Sequence, residues 1–236
     1  MIFAVILAGG TGSRMGVSDM PKQFLELKGK PILNHTLEKF IPNHRFEKII
    51  VLSPRTWMNH TKEIIRRYTG ENDRIAVIEG GRTRNETIMN AIAYIDEQYG
   101  LDDDTVIVTH DSVRPFVTHR IIEENIEAAL KDGACDTVIP ATDTIVEGKD
   151  GAITAIPDRR LMYQGQTPQS FKAKALRDAY RSLTDAEKEI LTDAAKILVI
   201  KGQRVSLVRG ETYNIKITYP YDLRIARSLL EDENDD

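Results

Sequence analysis

Residues 7–23 read LAGGTGSRMGVSDMPKQ and follow the apolar run Ile2-Phe3-Ala4-Val5-Ile6. An apolar run of strand length that stops at glycines predicts a buried strand. The loop after it sets Gly9, Gly10 and Gly12 beside two cations, Arg14 and Lys22. Glycines let backbone N–H groups approach phosphate oxygens, while Arg and Lys supply the charge that holds a polyphosphate. Two commoner glycine loops fail on spacing. G-x-G-x-x-G begun at Gly10 and Gly12 puts Met15 in the third glycine slot, with Gly16 one place late, and the acid expected near the end of the second strand is missing because Ile49–Leu52 runs into Ser53-Pro54. No Gly-Lys pair in this region fits a Walker loop.

Working outward, apolar runs alternate with helical periodicity. Strands are predicted at Lys48–Leu52, Ala76–Glu79 and Val106–Val108, with helices near Leu33–Phe40, Thr56–Tyr68, Thr83–Tyr99 and after the capping Thr118. That order implies right-handed crossovers and a mainly parallel sheet covered on both faces, a three-layer α/β fold of Rossmann type. From Thr137 the rhythm shortens. Thr137–Ile139, Thr144–Val146, the turn Gly148–Gly151 and Ile153–Ile156 read as short strands of a protruding hairpin arm over 137–163. Exposed strand edges need a cover, and a twin subunit is the simplest one. Further helices are expected at Lys172–Leu183, Asp185–Leu198 and Tyr221–Leu230, with a strand at Val205–Val208. Residues 231–236 form an acidic tail, and residues 1–236 read as one domain.

Bulk numbers narrow the function. A net charge of −4 argues against broad nucleic-acid or membrane-surface binding, so local cationic loops act on a small partner. The single cysteine, Cys135, lies in an apolar segment; it excludes an intrachain disulfide framework and suits a reducing cytoplasm. The N-terminus has no basic region and no apolar run of membrane-spanning length, so a cytoplasmic protein is expected. There is no G-x-S-x-G, no H-E-x-x-H and no Cys-His motif.

The loop L-A-G-G-x-G-x-R-M followed by P-K-Q resembles the signature of sugar-phosphate nucleotidyltransferases. Read with HDSVRPF (110–116), QGQTPQSF (164–171), LTD (191–193) and NIKIT (214–218), the chain resembles the cytidylyltransferases that act on polyol phosphates, from Ile2 to about Leu230. The resemblance implies CTP as donor, Mg²⁺ as cofactor and a homodimer joined through the arm. Such transfer needs no protein nucleophile, because the acceptor's phosphate oxygen is already ionised. A catalytically silent nucleotide-binding module is the alternative, and the set Arg14, Lys22 and Lys216 argues for catalysis.

The resemblance also assigns residues. Arg14, Lys22 and Lys216 stabilise the transferring phosphates. Leu7, Ala8, Gly9, Gly10, Thr11 and Gly12 present the triphosphate loop, and Gly80, Gly81, Arg82, Arg84 and Thr87 read the cytosine and ribose, with Thr87 where a serine is common. Asp111, with Ser112 beside it, sits where open α/β sheets bind ligands and is a candidate for ribose, Mg²⁺ or acceptor. Arg114, Thr167, Thr192 and Lys216 complete the acceptor pocket. Arg159, or its neighbour Arg160, reaches the partner's site. His110 is expected to be structural.

The acceptor is the finest reading. The methylerythritol-phosphate pattern has HDAARP and T-D-E, whereas this chain has HDSVRP and T-D-A with Ala194, and Gln164 and Gln166 add polarity near Thr167. Those differences resemble the ribitol 5-phosphate branch, which makes CDP-ribitol for teichoic-acid precursors. Ribitol 5-phosphate is therefore the expected acceptor, with 2-C-methyl-D-erythritol 4-phosphate as the alternative.

Overall fold

A computed structural model describes residues 1–10 and 20–232. Strand β1 (Ile2–Leu7) is its centre. Alternation along it sends Phe3 and Val5 to one face of the sheet and Ala4 and Ile6 to the other, so each face carries its own apolar core. A minute ladder of β2 (Glu26–Leu27) and β3 (Lys30–Pro31) precedes α1 (Ile32–Phe40). Then come β4 (Lys48–Ser53), α2 (Met58–Thr69), β5 (Ile75–Glu79), α3 (Arg84–Tyr99), β6 (Val106–Asp111) and α4 (His119–Asp132). The hydroxyls of Thr83 and Thr118 accept from the amides of Glu86 and Ile121, capping α3 and α4 as their sequences predict.

After α4, Gly133 takes φ +86° and turns the chain into β7 (Ala134–Pro140). A detached hairpin, β8 (Glu147–Lys149) and β9 (Ala152–Ala155), leads to β10 (Tyr163–Lys172), α5 (Ala173–Arg181), α6 (Asp185–Glu189), α7 (Ala195–Ile200), β11 (Ser206–Arg209) and α8 (Pro220–Asp232). The sheet order is β11-β7-β10-β6-β1-β4-β5, and every strand runs parallel except β10. Helices α1, α2 and α4 cover one face, and α3, α5 and α7 the other. The expected fold class is the observed one.

Three local expectations change. Thr137–Ile139 belongs to β7 in the main sheet and not to the arm. The strand expected at Thr144–Val146 begins instead at Glu147. The single helix expected over Asp185–Leu198 is two, because residues 190–194 break it to let Asp193 cap α7 through the Lys196 amide. Strand β10 has no counterpart in the sequence reading, since Pro168 argues against an internal strand. The ladder to β7 tolerates it by shifting register between Gly165 and Gln169.

Candidate active site

Crossovers leave β1 and β6 in opposite directions along the sheet, so a crevice opens at their carboxyl ends. Its walls are the start of the glycine loop (Leu7, Gly9, Gly10), the turn holding Lys22 and Gln23, the segment Gly81–Arg84 with Thr87, the residues Asp111–Val113, and Lys216. Sequence reasoning brought most of these together. Thr11, Gly12 and Arg14 lie outside the described residues.

Asp111 is the electrostatic centre. Arg84 Nη1 donates to its Oδ1, Lys216 Nζ lies 2.8 Å from Oδ2, and Arg114 Nε stands 3.6 Å from the same oxygen. Burial alone would raise its pKa, but Arg84, Lys216 and Arg114 outweigh burial and hold the carboxyl well below the ordinary range. Behind it, Thr167 Oγ1 accepts from the Asp111 amide at 3.2 Å and bonds His110 Nδ1 at 2.9 Å. His110 is fully buried, its Nε2 meets the Arg114 carbonyl, and burial lowers its pKa to about 4. It is a neutral structural imidazole, as expected.

Several side chains brace the site, some of them while also lining it. Thr167 is buried with its hydroxyl engaged behind Asp111, so it supports the carboxylate and does not face the pocket. Arg114 donates through Nη1 to the Asn214 carbonyl at 2.8 Å, tying the NIKIT segment to β6. The Thr87 hydroxyl donates to the Thr83 carbonyl at 2.7 Å and accepts from the Gly81 amide at 3.0 Å, which fastens the second glycine loop to α3. Gly81 is required there, since a Cβ would fall 2.5 Å from Glu86 Cβ and 2.8 Å from the Thr87 amide nitrogen. Ala8 is buried, and its carbonyl accepts from Gln23 Nε2 at 2.7 Å. Gly80 donates its amide to the Ser53 carbonyl at 2.9 Å. The Arg82 side chain pairs with Glu86 on the rim.

Thr192 is exposed and Arg159 is exposed with Nη1 on the Thr142 carbonyl, so neither lines the crevice of one chain. Arg160 is held by its neighbour Asp158 at 2.6 Å, which leaves Arg159 as the arginine not bound to a carboxylate. Gln166 commits its amide to neighbouring parts of the chain and does not offer the polarity expected of it near Thr167. Gln166 donates to the Glu211 carbonyl and accepts from Asn214, and Ala194 is packed in the core.

Among the described residues no group of three or more His, Cys, Asp or Glu gathers to hold a metal. Asp111 is the one carboxylate among the described residues that line the crevice, and cations occupy both its oxygens. Among the described residues, no helix is long and apolar enough to cross a membrane.

The model of the family IspD, 2-C-methyl-D-erythritol 4-phosphate cytidylyltransferase, matches residues 2–232. The Francisella tularensis 2-C-methyl-D-erythritol 4-phosphate cytidylyltransferase is 29% identical with a TM-score of 0.79, over 97% of this chain and 99% of that one. The 4-diphosphocytidyl-2C-methyl-D-erythritol synthase of Anaerococcus prevotii is 26% identical with a TM-score of 0.80, over 98% and 96%. The Thermus thermophilus cytidylyltransferase is 26% identical with a TM-score of 0.73, over 98% and 100%.

Proposed function

The chain belongs to the IspD family of cytidylyltransferases, and on that premise we propose that it transfers a cytidylyl group from CTP to ribitol 5-phosphate, giving CDP-ribitol and pyrophosphate. The observation that carries the reading is the convergence of Lys22, Arg84 and Lys216 on one crevice with the glycine loops. Cations on both sides of a triphosphate are what in-line displacement at phosphorus asks of a protein, because the chemistry is positioning and charge neutralisation.

In this mechanism the acceptor phosphate attacks the α-phosphate without a general base. Lys22 and Arg14 take the charge that grows on the leaving pyrophosphate, and Lys216 orients the attacking phosphate from its perch on Asp111. A Mg²⁺ ion bound with CTP would neutralise charge on its phosphates, and Asp111 is the described carboxylate of this crevice that would face it. Gly81 and Arg84 set the nucleoside, with Thr87 holding their loop. The arm pairs two subunits, and Arg159 serves the partner's acceptor site.

The acceptor assignment rests on where the motif differences fall. Ser112 and Val113, which replace the two alanines of HDAARP, both line the crevice. A serine adds a hydrogen-bonding group for a further hydroxyl, and a valine takes room that a branching methyl would need. The second reading is 2-C-methyl-D-erythritol 4-phosphate, favoured by the family description and by the names of the similar enzymes. Competing the two acceptors for limiting enzyme and CTP, with products resolved by mass, decides between them. An unmet polar group costs about 1–3 kcal/mol, so the preferred acceptor should win by roughly ten- to a hundredfold in kcat/KM. A majority of the methylerythritol product overturns the ribitol reading, and absence of pyrophosphate with CTP and either acceptor overturns both.

A further inference from the structure

Gln169 is buried at 2% exposure on β10, between Arg84, which lines the crevice, and Asp193. Its Oε1 accepts from Arg84 Nη2 at 3.4 Å, while Nε2 donates to Asp193 Oδ2 at 3.3 Å. Arg84 opens α3 and binds Asp111. Asp193 caps α7 and is the residue after Thr192. Across the β10–β7 ladder Gln169 stands opposite Asp136, whose Oδ1 is buried without a hydrogen-bond partner.

The amide is suited to this place by its polarity. Its carbonyl end faces a guanidinium and its NH₂ end faces carboxylates, so charge on the two sides fixes its orientation. A glutamate would keep the first contact and set a like charge against Asp193 and Asp136. Burial already pushes Asp136 up to about 7, with Asp193 adding to the rise, so this side of the amide tolerates no further negative charge.

We propose that Gln169 is a positioning residue that locks the segment carrying Thr192 to the nucleotide-reading Arg84, so that the acceptor side of the crevice is set by the donor side. The role in acceptor binding rests on the function proposed above; the lock itself does not. Gln169→Glu keeps the Arg84 arm and breaks the Asp193 arm, while Gln169→Glu with Asp193→Asn restores a carboxylate-to-amide pair with its polarity reversed. The amide placed at position 193 by the second substitution retains an oxygen to cap α7.

Hydrogen exchange on the ligand-free proteins, followed over residues 190–194, tests the lock without any substrate. Exchange there should quicken about tenfold in the single variant, the scale of one lost hydrogen bond to a charged group, and return toward wild type in the double variant. Steady-state kinetics should then show acceptor KM rising by a similar factor, CTP KM nearly unchanged, and recovery in the double variant. Unchanged exchange in Gln169→Glu, or a double variant no better than the single, overturns the proposal. If exchange behaves as expected but no CTP-dependent turnover exists in wild type, the lock stands and the proposed function falls.

Discussion

Lys216 Nζ lies 2.8 Å from Asp111 Oδ2, an oxygen that Arg114 also approaches at 3.6 Å. The two ends of this ion pair differ in freedom. The Asp111 side chain is 8% exposed, whereas Lys216 is 39% exposed. Asp111 is the fixed anchor, and Lys216 is the partner whose side chain reaches solvent and can turn to an incoming phosphate.

Replacing Lys216 with methionine should therefore lower kcat/KM for pyrophosphate release by ~10²-fold, with a loss of thermal stability as well because the buried Asp111 loses one of its three cations. Lys216→Arg should recover part of the loss. Full activity in the methionine variant would remove Lys216 from the mechanism.

Thr167→Val tests the support behind Asp111. The substitution keeps the shape but leaves the Asp111 amide and His110 Nδ1 without their buried partner. A destabilisation of about 1–3 kcal/mol in denaturant unfolding is expected, with acceptor KM moving less than kcat. An acceptor KM effect at unaltered stability would mean that the hydroxyl meets substrate directly.

Gly81→Ala should destabilise the protein by more than about 1 kcal/mol, the lower bound for overpacking against backbone that cannot retreat. Gly9→Ala is the control, because among the described residues its Cβ would meet only Thr87 Oγ1 at an ordinary 3.8 Å. Equal melting temperatures for the two variants would contradict the packing argument.

Asp136 makes stability depend on pH. Burial, then Asp193, raise its pKa to about 7 against the lowering effects of Gln169 and Arg84. Its folded pKa exceeds the unfolded one, so its contribution is full below roughly pH 4 and is lost as pH rises through about 7. Asp136→Asn removes that titration. Melting curves at several pH values should show the variant gaining on wild type as pH increases, and parallel curves would show that the carboxyl titrates normally.

The hairpin carries Ile153 and Ile156 at 63% exposure each, with Leu161 at 71% just beyond it. If the arm pairs two subunits, as proposed, Ile153→Glu with Ile156→Glu should halve the mass seen by light scattering and lower acceptor turnover. A wild-type protein that is monomeric and fully active would exclude the arm from the site.

Sequence alone determined the layered α/β fold and the cationic, glycine-lined character of the site. Both are local properties, since periodicity fixes which face of each element is buried, and crossovers then bring the strand-end loops to one edge. What Asp111, Thr167 and Thr87 bond to was decided only by tertiary structure. The cations on Asp111 come from α3, from the turn after β6 and from the segment beyond β11, and the Thr167 hydroxyl turns inward because β10 inserts antiparallel beside β6. A polar side chain in a ligand-edge loop reads the same in sequence whether it faces substrate or braces a neighbour. The distinction arises from desolvation, which obliges each buried donor and acceptor to take whichever partner the packed chain brings within reach.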